Sequence, residues 1–173
     1  MPHVRRDEAS AILLEGQERL DELLGGLTEE ELVRPATIGG GDWSAKDLIG
    51  HVALWEEIAL VTIDAWLGGR KPRIEEAFTP GDTDALNAWN QERKLPWPAG
   101  RVRADSGETH RRLLSSIDGM TDRDWATPRP FEGDEQEDLG SELGGVLGAP
   151  GRAFGHAFAH LPDLEAYVRS VRG

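Results

Sequence analysis

The sequence predicts an all-α protein, a bundle of four long helices decorated by short extra helical turns. Two observations predict this fold class. Apolar residues recur at intervals of three and four along several long segments, as on one face of a helix. No segment of useful length shows the apolar–polar alternation of a strand. The 173 residues suit one hydrophobic core, so we expect a single domain spanning residues 1–173.

The N-terminal part predicts one long helix, one short helix and a loop. The long helix runs from about Asp7 to Leu24 and ends at the Gly25–Gly26 pair, because glycine readily adopts the left-handed conformation after a helix. Thr28 and Glu31 have the spacing of a capping box for a short helix. Residues 34–42 contain a proline and three glycines, and they predict a loop.

Two further helical segments occupy the middle of the chain. The second long helix begins after Ser44, which is a suitable N-cap, and ends at residues 68–69. The third element starts near Thr83 and is interrupted by the prolines at 96 and 98, since proline lacks the backbone donor that a helix interior needs. A helix is predicted to resume through residues 108–120.

The C-terminal part predicts a short capped turn, a loop and the last long helix. Residues 121–125 form the turn, and residues 126–138, which are polar and contain two prolines, form the loop. The glycines of residues 140–151 weaken any helix there, because glycine loses the most backbone entropy on folding. The last helix is predicted to begin near Pro150 and to reach about Val171, with a kink at Pro162.

The composition excludes several classes of function. The net charge of −13 disfavours a surface for duplex nucleic acid, which needs clustered lysine and arginine, and it disfavours an anionic membrane. The chain contains no cysteine, which rules out disulfides, thiolate metal ligands and a cysteine nucleophile. No secretory signal and no membrane-spanning run of about 18 apolar residues is evident, so we expect a cytoplasmic protein without nucleic-acid or membrane partners.

Three histidines have the spacing of a metal site. His156 and His160 are four residues apart, so they share one helical face, and both imidazoles can reach one cation at ~2.0–2.1 Å. His51 lies in the second long helix, and its neighbours one turn away are apolar, which predicts that it points inward. Three inward nitrogens on two helices suit zinc, nickel or iron and leave coordination positions open.

The alternative is that these histidines are half-buried core residues that hydrogen-bond protein acceptors and bind no metal. The remaining histidines have weaker claims to a site. His3 is terminal, and His110 lies in the charged segment "ETHRRLL", where we expect it to be solvated.

Three residues are candidates for the surroundings of the histidines. Asp47 precedes His51 by four residues and has the spacing to orient its ring, although a carboxylate that favours the helix N-terminus is the preferred interpretation. Trp55 follows His51 by four residues, so we expect it beside the metal. Asp163 follows His160 by three residues and either orients the site or faces solvent.

A polar stripe on the third element supplies the remaining candidates. Asn87, Asn90 and Arg93 are spaced by three residues, and Arg93 has the geometry to bind an anionic substrate group, although a surface ion pair is the preferred interpretation. Glu56 and Glu57 are candidate acids or bases at the pocket edge, but we expect both to be surface carboxylates.

Three segments resemble a known family. "WSAKDLIGHVALWEE" (43–57), "LNAWNQERK" (86–94) and "HAFAHLPDLEAYV" (156–168) occur in the order of the DinB-like (YfiT-type) superfamily of four-helix-bundle metalloenzymes. The resemblance is strongest to the branch of the mycothiol-dependent maleylpyruvate isomerase N-terminal domain and the ClbS/DfsB-type proteins. It implies a cation held by one histidine of the second helix and two of the last, which match His51, His156 and His160.

The resemblance also implies a class of activity. A divalent metal would activate a bound thiol or water for transfer or hydrolysis on a small molecule, as in a thiol transferase, an isomerase or a hydrolase, with a low-molecular-weight thiol as a further cofactor. The "LPWPAG" break and the glycine-rich run depart from the family pattern and leave the substrate open.

Two other classes of function stay open beside the enzyme. One is a non-catalytic bundle that binds or sequesters a small molecule, with a structural metal or none. The other is a purely structural bundle whose histidines fill the core. The tryptophan-rich helix faces are compatible with a homodimer.

Overall fold

The computed structural model describes residues 4–72, 82–131 and 137–173. Over these ranges the chain forms eight helices and no strand, so the all-α prediction is confirmed. The helices are α1 (Arg6–Leu24), α2 (Glu29–Val33), α3 (Ala45–Leu67), α4 (Thr83–Lys94), α5 (Ala99–Asp118), α6 (Asp122–Trp125), α7 (Leu139–Val146) and α8 (His156–Arg172).

Helix α3 lies at the centre of the fold. It carries apolar residues on nearly all sides and is buried along most of its length, as expected for a helix surrounded by other elements. It packs most extensively against α5 and also contacts α2, α4, α7 and α8, while α1 packs against α5 and α8. The four long helices α1, α3, α5 and α8 therefore form the predicted bundle, with α4 alongside α3.

The apolar core divides into two large clusters. The first lies around Leu48, Leu164 and Tyr167, and the second lies around Trp66, Trp125 and Phe154. Each cluster joins residues from α1, α3 and α5 with residues from the C-terminal part of the chain. The first cluster thus packs α3 against α8, and the second packs α3 against α7 and the turn that precedes α8.

The predicted helix starts at Ser44 and Thr28 are confirmed by their hydrogen bonds. The Asp47 backbone N–H donates to Ser44 Oγ over 3.2 Å, and the Ser44 backbone N–H donates to Asp47 Oδ2 over 2.9 Å. Thr28 and Glu31 make the same reciprocal pair at α2. These local capping boxes satisfy backbone donors that a helix start leaves free.

Helix α5 begins at Ala99, nine residues before the start that the sequence predicted. Pro98 occupies the N-cap with φ −65°, so the proline that interrupts the preceding segment also starts this helix. The Ala99 backbone N–H donates to Glu29 Oε1 over 3.1 Å. A distant carboxylate thus completes the cap, and local sequence does not reveal it.

The glycine-rich run contains a helix, although its glycines weaken the prediction of one. Asp138 caps α7, because its side chain accepts a hydrogen bond from the Ser141 backbone N–H over 2.8 Å. A Cβ added at Gly140 would lie 2.3 Å from the indole nitrogen of Trp125. The lost helix propensity is therefore offset by close packing that only glycine permits.

The last helix begins at His156, six residues after the predicted start. Ala149 and Arg152 exchange backbone hydrogen bonds of 2.9 Å in the preceding turns. Phe154 there adopts φ 57°, a conformation that bulky residues rarely take, and it is only 1% exposed. Burial of this ring therefore stabilises the turn that sets the first residue of α8.

Pro162 lies inside α8, and the helix continues to Arg172. The kink at Pro162 stays a prediction. No helix of the described ranges is long and apolar enough to cross a membrane.

Candidate metal centre

His51, His156 and His160 converge on one point between α3 and α8. The Nε2 atoms of His51 and His156 lie 2.9 Å apart, and those of His156 and His160 lie 3.1 Å apart. One nitrogen from each ring lies within 4.8 Å of the other two. His51 is 7% exposed and the other two are half-buried, so His156 and His160 keep part of their surface accessible.

The backbone before α8 places His156. Its N–H donates to the Leu147 carbonyl over 2.9 Å, which ties the start of α8 to the end of α7. His160 then follows one helical turn later on the same face. His51 projects from the buried middle of α3 towards both rings.

The separations between the nitrogens suit a cation. With bonds of ~2.0–2.1 Å, neighbouring ligands lie roughly 2.9 Å apart in an octahedral shell and roughly 3.3 Å apart in a tetrahedral one. The observed 2.9 and 3.1 Å fall in this range. Three imidazoles are also a donor set that binds zinc, nickel and iron.

The hydrogen bonds of the histidine rings also favour a bound cation. His51 Nδ1 lies 3.0 Å from Asn87 Oδ1, which can only accept, so Nδ1 carries the proton and Nε2 presents a lone pair. The ring of His156 donates its N–H to the backbone carbonyl of Gly148, so its other nitrogen also presents a lone pair. Neutral rings then direct two lone pairs at each other across 2.9 Å, and a bound cation is what would satisfy them.

Burial keeps the rings neutral. Desolvation and the neighbouring His160 lower the pKa of His51 to about 4, although Asn87 opposes the shift. Desolvation followed by the other two rings lowers the pKa of His156 to about 3. Desolvation also lowers the pKa of His160, against the raising effect of Asp163. At pH 7 all three rings therefore offer lone pairs without first losing a proton.

The lowered pKa values predict that metal-free protein loses stability as pH falls. The unfolded chain takes up protons at its histidines near pH 6.5, whereas folded His51 stays neutral until about pH 4. The contribution of His51 is present above pH 6.5, and we expect on the order of 2 kcal/mol to be lost by pH 5. Urea denaturation with a chelator at pH 7, 6 and 5 measures it.

His51→Leu is the comparison for this measurement, because it removes one of the titrating rings. We expect a shallower decline with pH in this variant. Equal declines in the two proteins would contradict the assignment.

The residue that holds the His51 ring is Asn87, not Asp47. Asp47 belongs to the capping box of α3, as the preferred interpretation had it. Asn87 was noted as part of a polar stripe, but its pairing with His51 was missed. The pairing depends on how α4 packs against α3, across a sequence separation of 36 residues.

Variants of these two side chains should separate their roles. Replacing Asn87 by alanine is expected to weaken metal binding about 10- to 100-fold, since the His51 ring loses its orienting partner. Asp47→Ala is expected to lower the free energy of unfolding by ~0.5–1 kcal/mol with unchanged metal affinity. Competition with a chromogenic chelator and urea denaturation measure the two effects. If Asp47→Ala lost more metal affinity than Asn87→Ala, Asp47 rather than Asn87 would be the residue that orients His51.

Two tryptophans flank the histidines. The Trp55 ring lies 5.7 Å from the His156 ring between centroids, which places it beside the cluster as expected. Trp43 was not singled out for the site, yet its ring centroid is 4.8 Å from that of His51. Asp163 is exposed, and it acts on the cluster only through the electrostatic effect on His160.

Asn90 and Arg93 form part of a buried network beside the site. Asn90 is 3% exposed and donates from Nδ2 to the Gly50 carbonyl over 3.0 Å. Arg93 donates to both carboxylate oxygens of Glu57, over 3.1 and 2.9 Å, and to Asn90 Oδ1. Arg93 is therefore engaged by an ion pair with a neighbouring helix, which was its preferred interpretation. Glu57 is half-buried in that pair.

The predictions for Glu56 and His110 are wrong. Glu56 is 4% exposed and His110 is 5% exposed, and Glu56 Oε1 accepts from His110 Nδ1 over 2.7 Å. The helical period would have revealed His110, because Leu113 and Ile117 on the same face of α5 are fully buried. Its charged neighbours along the chain led to the wrong prediction that His110 is solvated.

The comparisons with known proteins come from a family profile and from solved structures. The profile described as the DinB superfamily matches residues 12–161. An uncharacterised protein from Escherichia coli UTI89 is similar in structure, with a TM-score of 0.80 at 13% identity, over 99% of this chain and 96% of that one. No curated protein sequence matches.

A second similar structure is the colibactin self-resistance protein ClbS, solved in complex with double-stranded DNA. Its TM-score is 0.74 at 13% identity, over 94% of each chain. The exclusion of nucleic acid as a partner is therefore wrong, since a protein of this fold is found with duplex DNA. Net charge described the whole surface and carried no information about any one face of it.

The match over residues 12–161 covers most of the chain and includes all three clustered histidines. The similar structures have the same fold. The chain belongs to the DinB superfamily.

Proposed function

We propose that this protein is a metal-dependent enzyme acting on a small molecule, with one divalent cation bound by His51, His156 and His160. The observation that carries the proposal is the convergence of three neutral imidazole nitrogens at 2.9 and 3.1 Å. The proposed cation is zinc, nickel or iron. It would have three protein ligands and open positions, which is the arrangement of catalytic rather than structural sites.

The metal would supply Lewis acidity, which lowers the pKa of a coordinated water or thiol towards neutrality. The surrounding residues have distinct tasks. Asn87 holds the His51 ring, and Trp43 and Trp55 cover two of the three rings with apolar surface. The half-buried faces of His156 and His160 leave the side from which a substrate would enter.

Between the two nucleophiles, we rank thiol transfer ahead of hydrolysis. The family branch that the sequence resembles supports this order. The chain has no cysteine, so the thiol would come from a low-molecular-weight compound in solution.

Cobalt(II)-loaded protein tests whether the site is open. We expect a small thiol to change the visible absorption spectrum, because sulfur would enter the coordination shell of the cobalt. The same thiol should leave the spectrum of a His51→Ala/His160→Ala variant unchanged. Turnover of thiol-reactive electrophiles, with and without the metal, then tests catalysis.

A closed structural site would give no spectral change with thiol, azide or other small anions. Metal removal would then lower the melting temperature sharply without affecting any reaction. These two results together would contradict the proposed enzyme and favour the alternative function, a non-catalytic bundle that binds or sequesters a small molecule.

Duplex DNA is a second candidate ligand, favoured by the complex that ClbS forms. Any contact of this chain with phosphates would have to be local, because the net charge is −13. Fluorescence anisotropy with a labelled duplex tests it at 20 and then at ~150 mM salt. Saturable binding that weakens with salt would support DNA as a ligand, and no binding at either salt concentration would remove it.

A further inference from the structure

A groove outside the histidine cluster lies between α1 and α5, with α3 as its floor. Its volume is about 470 Å³, which is within the range of small-molecule sites. None of the three histidines lines it. Its walls and floor include the apolar side chains Leu20, Leu24, Leu48, Ile49 and Val52.

Two polar side chains of α5, those of Arg103 and Ser106, line this groove. Arg103 is half-buried and makes no ion pair or hydrogen bond with any residue in the described ranges. Ser106, which is 3% exposed, also lines the groove. The two are three residues apart on one helix, so they project from the same face. A half-buried guanidinium without a partner, one helical turn from a serine hydroxyl, favours a ligand that supplies acceptors.

The charges at the groove limit what this ligand can be. Asp21 also lines the groove, and its Oδ1 accepts from Gln17 Nε2 over 3.1 Å. This carboxylate would repel a second negative charge on the ligand, as would the net charge of the chain. A single carboxylate can pair with the two parallel N–H groups of Arg103.

We propose that the groove binds a small monocarboxylate with an apolar body. The carboxylate would lie on Arg103 and Ser106, and the apolar body would lie on the leucine, isoleucine and valine side chains of α1 and α3. This site is separate from the proposed metal centre, and binding there does not require a metal.

Gly107 provides a way to close the groove without damaging the fold. It lines the groove, and a Cβ built on it meets nothing within 4 Å. A leucine at this position would extend into the groove while improving helix propensity. Gly100 lies on the same helix, also has open space around it, and does not line the groove, so Gly100→Leu is the matched control.

Calorimetric titration with octanoate tests the proposal, with 1-octanol as the uncharged analogue and a chelator present throughout. We expect octanoate to bind saturably at one site, about tenfold more weakly in Arg103→Gln, and not at all in Gly107→Leu. Gly100→Leu and Arg101→Gln should bind as the wild type does, since Arg101 stacks on Trp97 away from the groove. Octanol affinity should not change in Arg103→Gln.

Three outcomes would overturn the proposal. The first is no saturable octanoate binding to the wild type. The second is equal affinity in Arg103→Gln, which would mean that the groove does not recognise the carboxylate. The third is octanoate binding that Gly107→Leu leaves unchanged, which would place the ligand outside the groove. Because the chelator removes the histidine-bound metal, failure of this proposal leaves the proposed metal centre untouched.

Discussion

Protein purified without a polyhistidine tag is expected to contain about one zinc, nickel or iron ion per chain. His51→Ala/His160→Ala is expected to contain almost none, because a single remaining imidazole cannot hold a divalent cation against water and buffer. Elemental analysis by plasma mass spectrometry measures the metal content. The same variant should no longer gain thermal stability when zinc or nickel is added, whereas chelated wild-type protein should.

Circular dichroism provides the control for this experiment, since the variant must keep the helix content of the wild type. The outcome that contradicts the metal centre is wild-type protein that carries no metal and takes up none of the three cations on titration. The facing nitrogens of His51 and His156 would then have to share a proton, and the histidines would be core residues.

Removal of one partner of the Glu56–His110 pair should have the largest effect on stability. The two side chains are 4% and 5% exposed, and they are joined by a hydrogen bond of 2.7 Å. Glu56→Ala leaves a buried imidazole N–H without an acceptor, which we expect to lower the free energy of unfolding by about 2–4 kcal/mol. That is a large fraction of the total for a domain of this size. Urea denaturation measures the loss.

Two further variants test whether the loss of stability in Glu56→Ala comes from the broken pair rather than from any substitution of a glutamate. Glu30→Ala removes an exposed carboxylate near Arg34, and it should leave the midpoint unchanged. Glu56→Leu/His110→Leu replaces both polar groups, so its loss of stability should be smaller than the summed losses of the single variants Glu56→Leu and His110→Leu. Strictly additive losses would show that the two side chains do not depend on each other.

Two buried atoms of the pair, Glu56 Oε2 and His110 Nε2, have no hydrogen-bond partner among the residues that the structure describes. Such atoms are costly in a core, and they mark this position as sensitive to substitution. Neither residue lies in the histidine cluster. Substitutions here are therefore expected to change stability without changing the metal affinity of the folded protein.

Local features of the sequence were enough to predict much of the fold. Apolar periodicity placed α1 and α3, and the capping box at Thr28 and the N-cap at Ser44 placed two helix starts to the residue. These predictions are reliable because the residues that interact lie within one helical turn of each other. The histidine spacing in α8 belongs to the same class of local information.

Elements whose stability comes from distant partners were predicted less well. The start of α5 depends on Glu29, and α7 is stabilised by packing of its glycines against Trp125 and Phe154. Residue propensities describe isolated segments, and they cannot include the free energy of contacts with the rest of the chain.

The sequence by itself determined the helical class, the family resemblance and the three candidate ligands, because each depends on residue types and on their spacing within short segments of the chain. Only the tertiary structure decided that the ligands of α3 and α8 meet at 2.9 Å, that Asn87 orients His51, and that Glu56 and His110 are buried together. The physical reason is the packing of helices across 36 to 105 residues of intervening chain, which no local pattern encodes.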